Sequence, residues 1–195
     1  MKQIVFATNN AHKLDELRAI VGTRFKVLSL SDIGCHDEIP EDSDTLAGNA
    51  LQKARWVAGR YGCACLSDDT GLMVDALDGA PGVHTARYAG PGHDSAANVA
   101  KLLANLEGVP MDKRTAHFST VIAYIDGEGG EHLFEGRVDG HILTAPTGDG
   151  GFGYDPVFRP EGWTLSFAQA DPASKNAVSH RGRATRAFMD YLTTH

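Results

Sequence analysis

The spacing of apolar and polar positions along the chain predicts its secondary structure. Residues 2–8 form a short apolar run typical of a buried strand. Over residues 11–21, apolar positions recur with the period of a helix, and Asn10 is a natural N-cap for that helix. The remaining predicted elements are a strand at 25–30, a helix at 45–61, strands at 64–69 and 72–77, a helix at 95–106, a hairpin of 115–126 with 131–143, and a helix at 182–192.

The order of these elements predicts the fold class. Parallel crossovers come early and a hairpin comes late, so we expect an α/β protein with a mixed sheet flanked by helices. No repeat, low-complexity tract or linker divides the 195 residues. They form a single domain at 1–195 or two lobes that share a sheet.

Composition and charge narrow the possible partners. Hydrophobic residues make up 42% and charged residues 22%, as in ordinary globular proteins. No apolar run approaches the roughly 20 residues that cross a bilayer, so we expect no membrane partner. The net charge of −7 argues against a nucleic-acid polymer, although a mononucleotide needs only a local basic pocket. The chain has 3 cysteines, an odd number that cannot all pair within the chain, which favours reduced thiols and a cytoplasmic location.

A polar segment stands where the first strand ends and the first helix begins. Backbone N–H groups and the positive dipole at a helix start favour anions, and a lysine adds charge. The segment lacks the glycines of a Walker loop. Phosphate binding is one hypothesis, and a capped surface helix is the alternative. The segment comprises Thr8, Asn9, Asn10, Ala11, His12 and Lys13.

Adjacent carboxylates, Asp68 and Asp69, follow a short apolar strand. Because consecutive strand residues point to opposite faces, one can enter a cleft while the other braces backbone or a second metal. Hard oxygen ligands suit Mg²⁺, which usually takes one or two carboxylates plus substrate phosphates, and Glu41 could add a further carboxylate. The alternative is a polar turn with solvated acids.

Two further segments combine groups that bind nucleotides. In 148–156, glycines flank Phe152 and Tyr154, an arrangement suited to stacking a planar base, or else to a tight connection with two core aromatics. In 175–183, cations are concentrated, and His180 could donate to a carbonyl acceptor on a base. The alternative is a helix terminus whose cations face water.

Taken in order, these segments resemble the inosine triphosphate pyrophosphatase family, also called dITP/XTP pyrophosphatases. The combination is highly specific and spans essentially the whole chain. One departure is Gly48, which stands where the family often has a glutamate, and 39–44 matches loosely. The matching segments are 7–13, 49–50 with 53–54, 67–72, 74–77, 79–88, 151–156 and 179–182.

The resemblance implies an elongated, two-lobed α/β fold with a mixed central sheet, an active cleft between the lobes and usually a homodimer. It implies a Mg²⁺-dependent hydrolase that converts ITP, dITP or XTP and water into the monophosphate and pyrophosphate. Such an enzyme cleanses the nucleotide pool of deaminated purines.

The resemblance also implies roles for individual residues. Triphosphate lies against 8–13 with Lys175 nearby, while Asp69 is the catalytic carboxylate and, with Glu41, a metal ligand. Thr70 contacts substrate where relatives more often have serine. The residues that hold and read the base are Phe152, Gly153, Tyr154, Asp155, His180 and Arg181.

Two alternatives to this function remain open from the sequence. A related pyrophosphatase that prefers pyrimidine or modified triphosphates would use similar chemistry. A catalytically silent sensor would bind ITP with magnesium and release no pyrophosphate.

Overall fold

The computed structural model describes residues 1–195, which form five α-helices and seven strands. The helices are α1 (Ala11–Val21), α2 (Leu46–Tyr61), α3 (Ser95–Asn105), α4 (Pro172–Val178) and α5 (His180–Thr194). The strands are β1 (Gln3–Phe6), β2 (Lys26–Leu28), β3 (Cys65–Val74), β4 (Pro81–Gly82), β5 (Thr115–Ile125), β6 (Glu131–Ile142) and β7 (Phe158–Pro160). None of the helices is long and apolar enough to cross a membrane.

The strands form one mixed sheet in the order β2-β1-β3-β5-β6-β7, with β4 paired to β3. Strand β1 is parallel to β2, with Gln3 opposite Lys26, and parallel to β3, with Val5 opposite Cys65. The pairs β3–β4 and β6–β7 are antiparallel. The predicted α/β class with a mixed sheet is confirmed.

Capping residues set the helix boundaries, and one of them, Asn10, was predicted from the sequence. The Asn10 side chain accepts hydrogen bonds from the backbone N–H groups of His12 and Lys13 and so begins α1. Thr45 caps α2 by accepting from the N–H of Gly48. Gly62 ends α2 in the left-handed conformation, with φ 62, which glycine adopts without a steric penalty.

Three features differ from the predicted elements. Strand β3 is continuous, whereas the sequence predicted two strands separated by residues 70–71. Its first half pairs with β1 and its second half with β4, so its backbone is hydrogen-bonded on both sides of the expected break. The terminal helix begins at His180, two residues earlier than predicted. The elements α4, β4 and β7 were not predicted, because they are too short to show a periodic pattern of apolar residues.

The chain divides into two compact units. Unit 1 consists of Met1–Asp69, Thr120–Gly136 and Arg181–His195, and unit 2 consists of Thr70–Ser119 and Arg137–His180. In unit 1, the consecutive β3 residues Cys65 and Leu66 point to opposite faces of the strand and belong to different hydrophobic clusters. A separate cluster forms the core of unit 2 and contains Leu72, Leu102, Phe118, Tyr154, Val157, Phe158 and Phe167, among others.

Candidate active site

In unit 1, Asp68 is the centre of a buried group of charges. Lys13 Nζ, from α1, donates to its Oδ1 at 3.1 Å, and Arg181 Nε, from α5, donates to its Oδ2 at 3.2 Å. Arg181 Nη1 also donates to Glu16 Oε2 at 2.6 Å. Because Asp68 and Arg181 are almost fully buried, these bonds fix both groups firmly.

The charges around Asp68 decide its protonation. Burial alone would raise its pKa, but the Lys13 and Arg181 cations outweigh that effect and hold the pKa of the carboxyl well below its usual range. Burial lowers the pKa of Lys13, and the facing carboxylate opposes that change. Asp68 is therefore an ionised acceptor that orients two cations, and it is poorly suited to accept a proton.

Asp69 points to the other face of β3 and has different surroundings. Its Oδ2 accepts from Asn49 Nδ2 of α2 at 3.1 Å, and its carboxyl is hydrogen-bonded to that of Glu41. Burial raises the pKa of Asp69 to about 7, the Lys53 cation opposes the rise, and Glu41 adds to it. A carboxyl with such a pKa is suited to proton transfer near neutral pH.

Lys53 contacts both strand β3 and the segment that precedes α2. Its Nζ donates to the backbone carbonyl of Asp68 at 2.6 Å and lies 3.5 Å from Glu41 Oε1. The side chain is largely buried. It therefore steadies both the strand that carries the paired aspartates and the segment that carries Glu41.

The fit of these residues to Mg²⁺ follows from their donor chemistry. Two acidic side chains, Glu41 and Asp69, lie in contact, and a divalent cation would remove the repulsion between their ionised forms. No group of three or more His, Cys, Asp and Glu side chains comes together as a complete protein cage. Two carboxylates completed by phosphate oxygens and water match the way Mg²⁺ usually binds.

The predicted phosphate segment is a capped helix start. Thr8 Oγ1 accepts from the N–H of Asn10 at 3.1 Å, and Asn10 Oδ1 accepts from the N–H groups of His12 and Lys13 at 3.0 and 3.3 Å. Those two amides already have a partner. The positive charge at this end of unit 1 therefore resides mainly on the Lys13 ammonium, which is partly accessible at 17%.

In unit 2, a buried ion pair holds the predicted base-binding segment. Asp155 Oδ2 accepts from Lys175 Nζ at 2.6 Å and from the N–H of Phe152 at 2.9 Å. The same ammonium lies 4.7 Å from the Phe152 ring centroid. A side chain at Gly151, where φ is +66, would collide with the Asp155 carboxylate, so this tight turn requires glycine. Lys175 thus belongs to the same group as residues 152–155.

Two other predicted base-binding residues of unit 2, Tyr154 and His180, are buried, and the predicted substrate contact Thr70 is half-buried. Tyr154 lies in the core, and its hydroxyl donates to the carbonyl of Thr85 at 2.7 Å, so its ring supports the segment from within. His180 is buried and stacks on Phe118, with ring centroids 4.5 Å apart and an interplanar angle of 16°. Thr70 is half-buried on β3.

The structure thus sorts the predicted residues into two groups. Unit 1 brings together the cations and carboxylates Lys13, Arg181, Glu41, Asp68 and Asp69, and unit 2 joins Phe152, Asp155 and Lys175.

Three residues of the unit 1 group are not among the predicted site residues: Glu16, Asn49 and Lys53. The last two are polar, four residues apart, and adjoin the buried stripe of Ala50 and Ala54. Polar side chains on the buried face of a helix are a signal that could have identified them.

The geometry defines an α/β protein with an acidic, cation-flanked site on paired aspartates, suited to binding a phosphate ester together with a hard metal ion. Comparison with known proteins gives the family. The profile of the Ham1 family matches residues 4–191, and the chain belongs to that family.

Individual relatives cover nearly the full length of the chain. A protein of Porphyromonas gingivalis named dITP/XTP pyrophosphatase is 54% identical over 192 residues, 98% of each chain. The structure of a HAM1 protein from Coxiella burnetii superimposes with a TM-score of 0.89 at 35% identity, over 100% of both chains. A nucleoside-triphosphatase / dITP/XTP pyrophosphatase from Mycobacterium abscessus gives 0.76 at 43% identity, over 96% of this chain and 98% of that one.

Proposed function

We propose that this protein hydrolyses dITP, ITP and XTP to the nucleoside monophosphate and pyrophosphate, which removes deaminated purines from the nucleotide pool. The names of its full-length relatives support this activity. The observation that carries the proposal is that the two adjacent aspartates have different surroundings. Asp68 is ionised and paired with two cations, while Asp69 has a raised pKa beside Glu41.

The proposed reaction is an in-line attack of water on the α-phosphorus, with pyrophosphate as the leaving group. Asp69, whose carboxylate is held by the Asn49 side chain, orients the water and accepts its proton. Asp69 and Glu41 would hold Mg²⁺, which would supply positive charge to neutralise the phosphates and stabilise the transition state. Residues 8–13, with the Lys13 charge, bind the phosphates.

Base selectivity is assigned to residues that donate hydrogen bonds. The Phe152 ring stacks on the base, and Lys175 with Asp155 holds the segment in place. His180 and Arg181 donate to the 6-oxo group of the purine, and Thr70 contacts the substrate. An adenine amino group would leave such donors unpaired, and a site of this kind discriminates by about 10⁴.

We further propose a cytoplasmic location, a homodimer, and a small-molecule nucleotide as the partner. Three free cysteines and no disulfide support a reducing compartment. The negative net charge of −7 fits a mononucleotide better than a nucleic-acid polymer. The homodimer is a prediction that sedimentation in solution tests.

A pyrophosphate-release assay with ITP, dITP, XTP, dTTP, UTP and ATP, each with and without Mg²⁺, tests the function. We expect rapid release from the first three, slow release from ATP, and none in EDTA. A preference for dTTP or UTP would assign the chain to pyrimidine substrates. Tight binding of ITP with no release of pyrophosphate would make the protein a nucleotide sensor.

A further inference from the structure

The first turn of α2 contains two consecutive residues that disfavour helix formation, Gly48 and Asn49. Glycine has nearly the lowest helix propensity, and asparagine competes for backbone hydrogen bonds. Asn49 is also 1% exposed, although a polar side chain at that depth needs partners to offset its lost hydration. Because neither side chain favours the helix, we looked for a role of both residues in the contacts of this turn.

The Asn49 carboxamide joins two parts of the candidate site. Its Oδ1 accepts from the N–H of Ser43 at 2.8 Å, and its Nδ2 donates to Asp69 Oδ2 at 3.1 Å. Ser43 lies two residues beyond Glu41, in the irregular segment that leads into the helix. One rigid, planar group therefore connects the segment that carries Glu41 with the carboxylate of Asp69.

Gly48 leaves room for the side chains of that segment. A Cβ atom at this position would collide with the Ser43 hydroxyl and would lie 2.9 Å from Thr45 Oγ1. The absence of a side chain lets residues 43–45 lie directly on the helix turn. Beside this turn, the N–H of Ser43 reaches the Asn49 carboxamide.

We propose that Asn49 is a positioning residue that sets the arrangement of the Glu41 and Asp69 carboxylates for a divalent cation, and that in this chain Gly48 leaves room for the Ser43 side chain beside this contact. The inference rests on the proposed function, because it deepens the role of the same two carboxylates. A hydrogen bond to one carboxylate oxygen fixes the rotation of the carboxylate. Groups that orient metal ligands in this way change metal affinity by roughly 10- to 100-fold.

The test measures binding of Mn²⁺ alone, by electron paramagnetic resonance, in Asn49→Ala and in a matched control, Asn98→Ala. Asn98 is a buried helical asparagine of unit 2 that also bridges a loop, with bonds of 2.9 Å to the carbonyl of Ala86 and 2.7 Å from the N–H of Ala89. We expect both variants to unfold at a lower denaturant concentration. Only Asn49→Ala should weaken Mn²⁺ binding, by roughly 10-fold or more.

A second set of variants keeps the inference testable if Asn49→Ala does not fold. Gly48→Ala leaves the Asn49 carboxamide intact but displaces Ser43, and it should weaken Mn²⁺ binding as well. Replacing Ser43 with glycine in the same chain (Ser43→Gly with Gly48→Ala) removes the colliding atoms and should restore part of the affinity. Both variants are titrated as fully folded protein, so an alanine that only destabilises the fold would leave the Mn²⁺ affinity at the wild-type value.

Unchanged Mn²⁺ affinity in Asn49→Ala, or equal loss in Asn98→Ala, would overturn the inference. The proposed function fails in a different way, namely if the wild-type protein releases pyrophosphate from none of the triphosphates. Because the Mn²⁺ titration contains no nucleotide, its result does not depend on that assay.

Discussion

The candidate groups in the two units are built in opposite ways. In unit 1, Asp68 and its cations come from three elements, and Asp68 is 113 positions from Arg181. In unit 2, two members of the group of Phe152, Asp155 and Lys175 belong to one turn of five residues, 151–155. In that turn, the Asp155 carboxylate accepts from the N–H of Phe152, three positions away. Lys175 is the only distant contributor to this ion pair, 20 positions away.

This difference indicates what each group can tolerate. Unit 1 combines several charges whose protonation states depend on one another, so the loss of one charge alters the pKa of the others. Unit 2 depends on local backbone conformation and one ion pair, so a side-chain change there should alter affinity more than chemistry. The following predictions test that contrast, from the largest effect to the smallest.

Replacing Asp69 with asparagine should have the largest effect. The amide cannot accept a proton from water and is a weaker ligand for Mg²⁺, so kcat for ITP should fall by roughly 10³- to 10⁴-fold. Nucleotide binding, measured by calorimetry, should survive because the unit 1 cations remain. Unchanged turnover would remove Asp69 from the mechanism.

Asp68→Asn should act mainly on stability. It leaves the buried cations Lys13 and Arg181 with less compensation, and breaking a buried ion pair in this way costs roughly 3–5 kcal/mol. Urea unfolding at pH 7 measures the change. A loss below about 1 kcal/mol would show that solvent or Glu16 already compensates Arg181.

Asp69→Asn, unlike Asp68→Asn, should increase the free energy of unfolding, and the increase should depend on pH. The folded-state pKa of about 7 lies above the ordinary value of 3.8, so the native state binds the extra proton. The stability contributed by this carboxyl is complete below about pH 4 and is lost as pH rises through 7.

Because asparagine does not titrate, the variant should gain roughly 1–3 kcal/mol relative to wild type at pH 8 and much less at pH 5. Urea unfolding in EDTA at both pH values measures this difference. An equal difference at pH 5 and pH 8 would contradict the raised pKa.

Lys175→Met should change substrate binding more than turnover. It removes the partner of Asp155 and the cation above Phe152, so KM for ITP should rise by roughly 10- to 100-fold, with kcat within about 3-fold. The double variant Lys175→Met with Asp155→Asn should recover stability without recovering KM. A kcat loss comparable to that of Asp69→Asn would contradict the contrast between the units.

Much of the fold could be predicted because the responsible interactions are local. The predicted cap Asn10 marks the start of α1, and alternation predicts that Asp68 and Asp69 point to opposite faces. The continuity of β3 could not be predicted, because Thr70-Gly71 is weak strand sequence and only pairing with other strands decides it.

The sequence by itself determined the elements, their order, the family resemblance and the residue types available for chemistry. Only the tertiary structure decided that Asp68 is ionised while its neighbour Asp69 has a raised pKa, and that Asn49 and Lys53 hold the latter's surroundings. The physical reason is that protonation depends on burial and on charges within a few ångströms. For Asp68 those charges come from α1 and α5, which lie far apart along the chain.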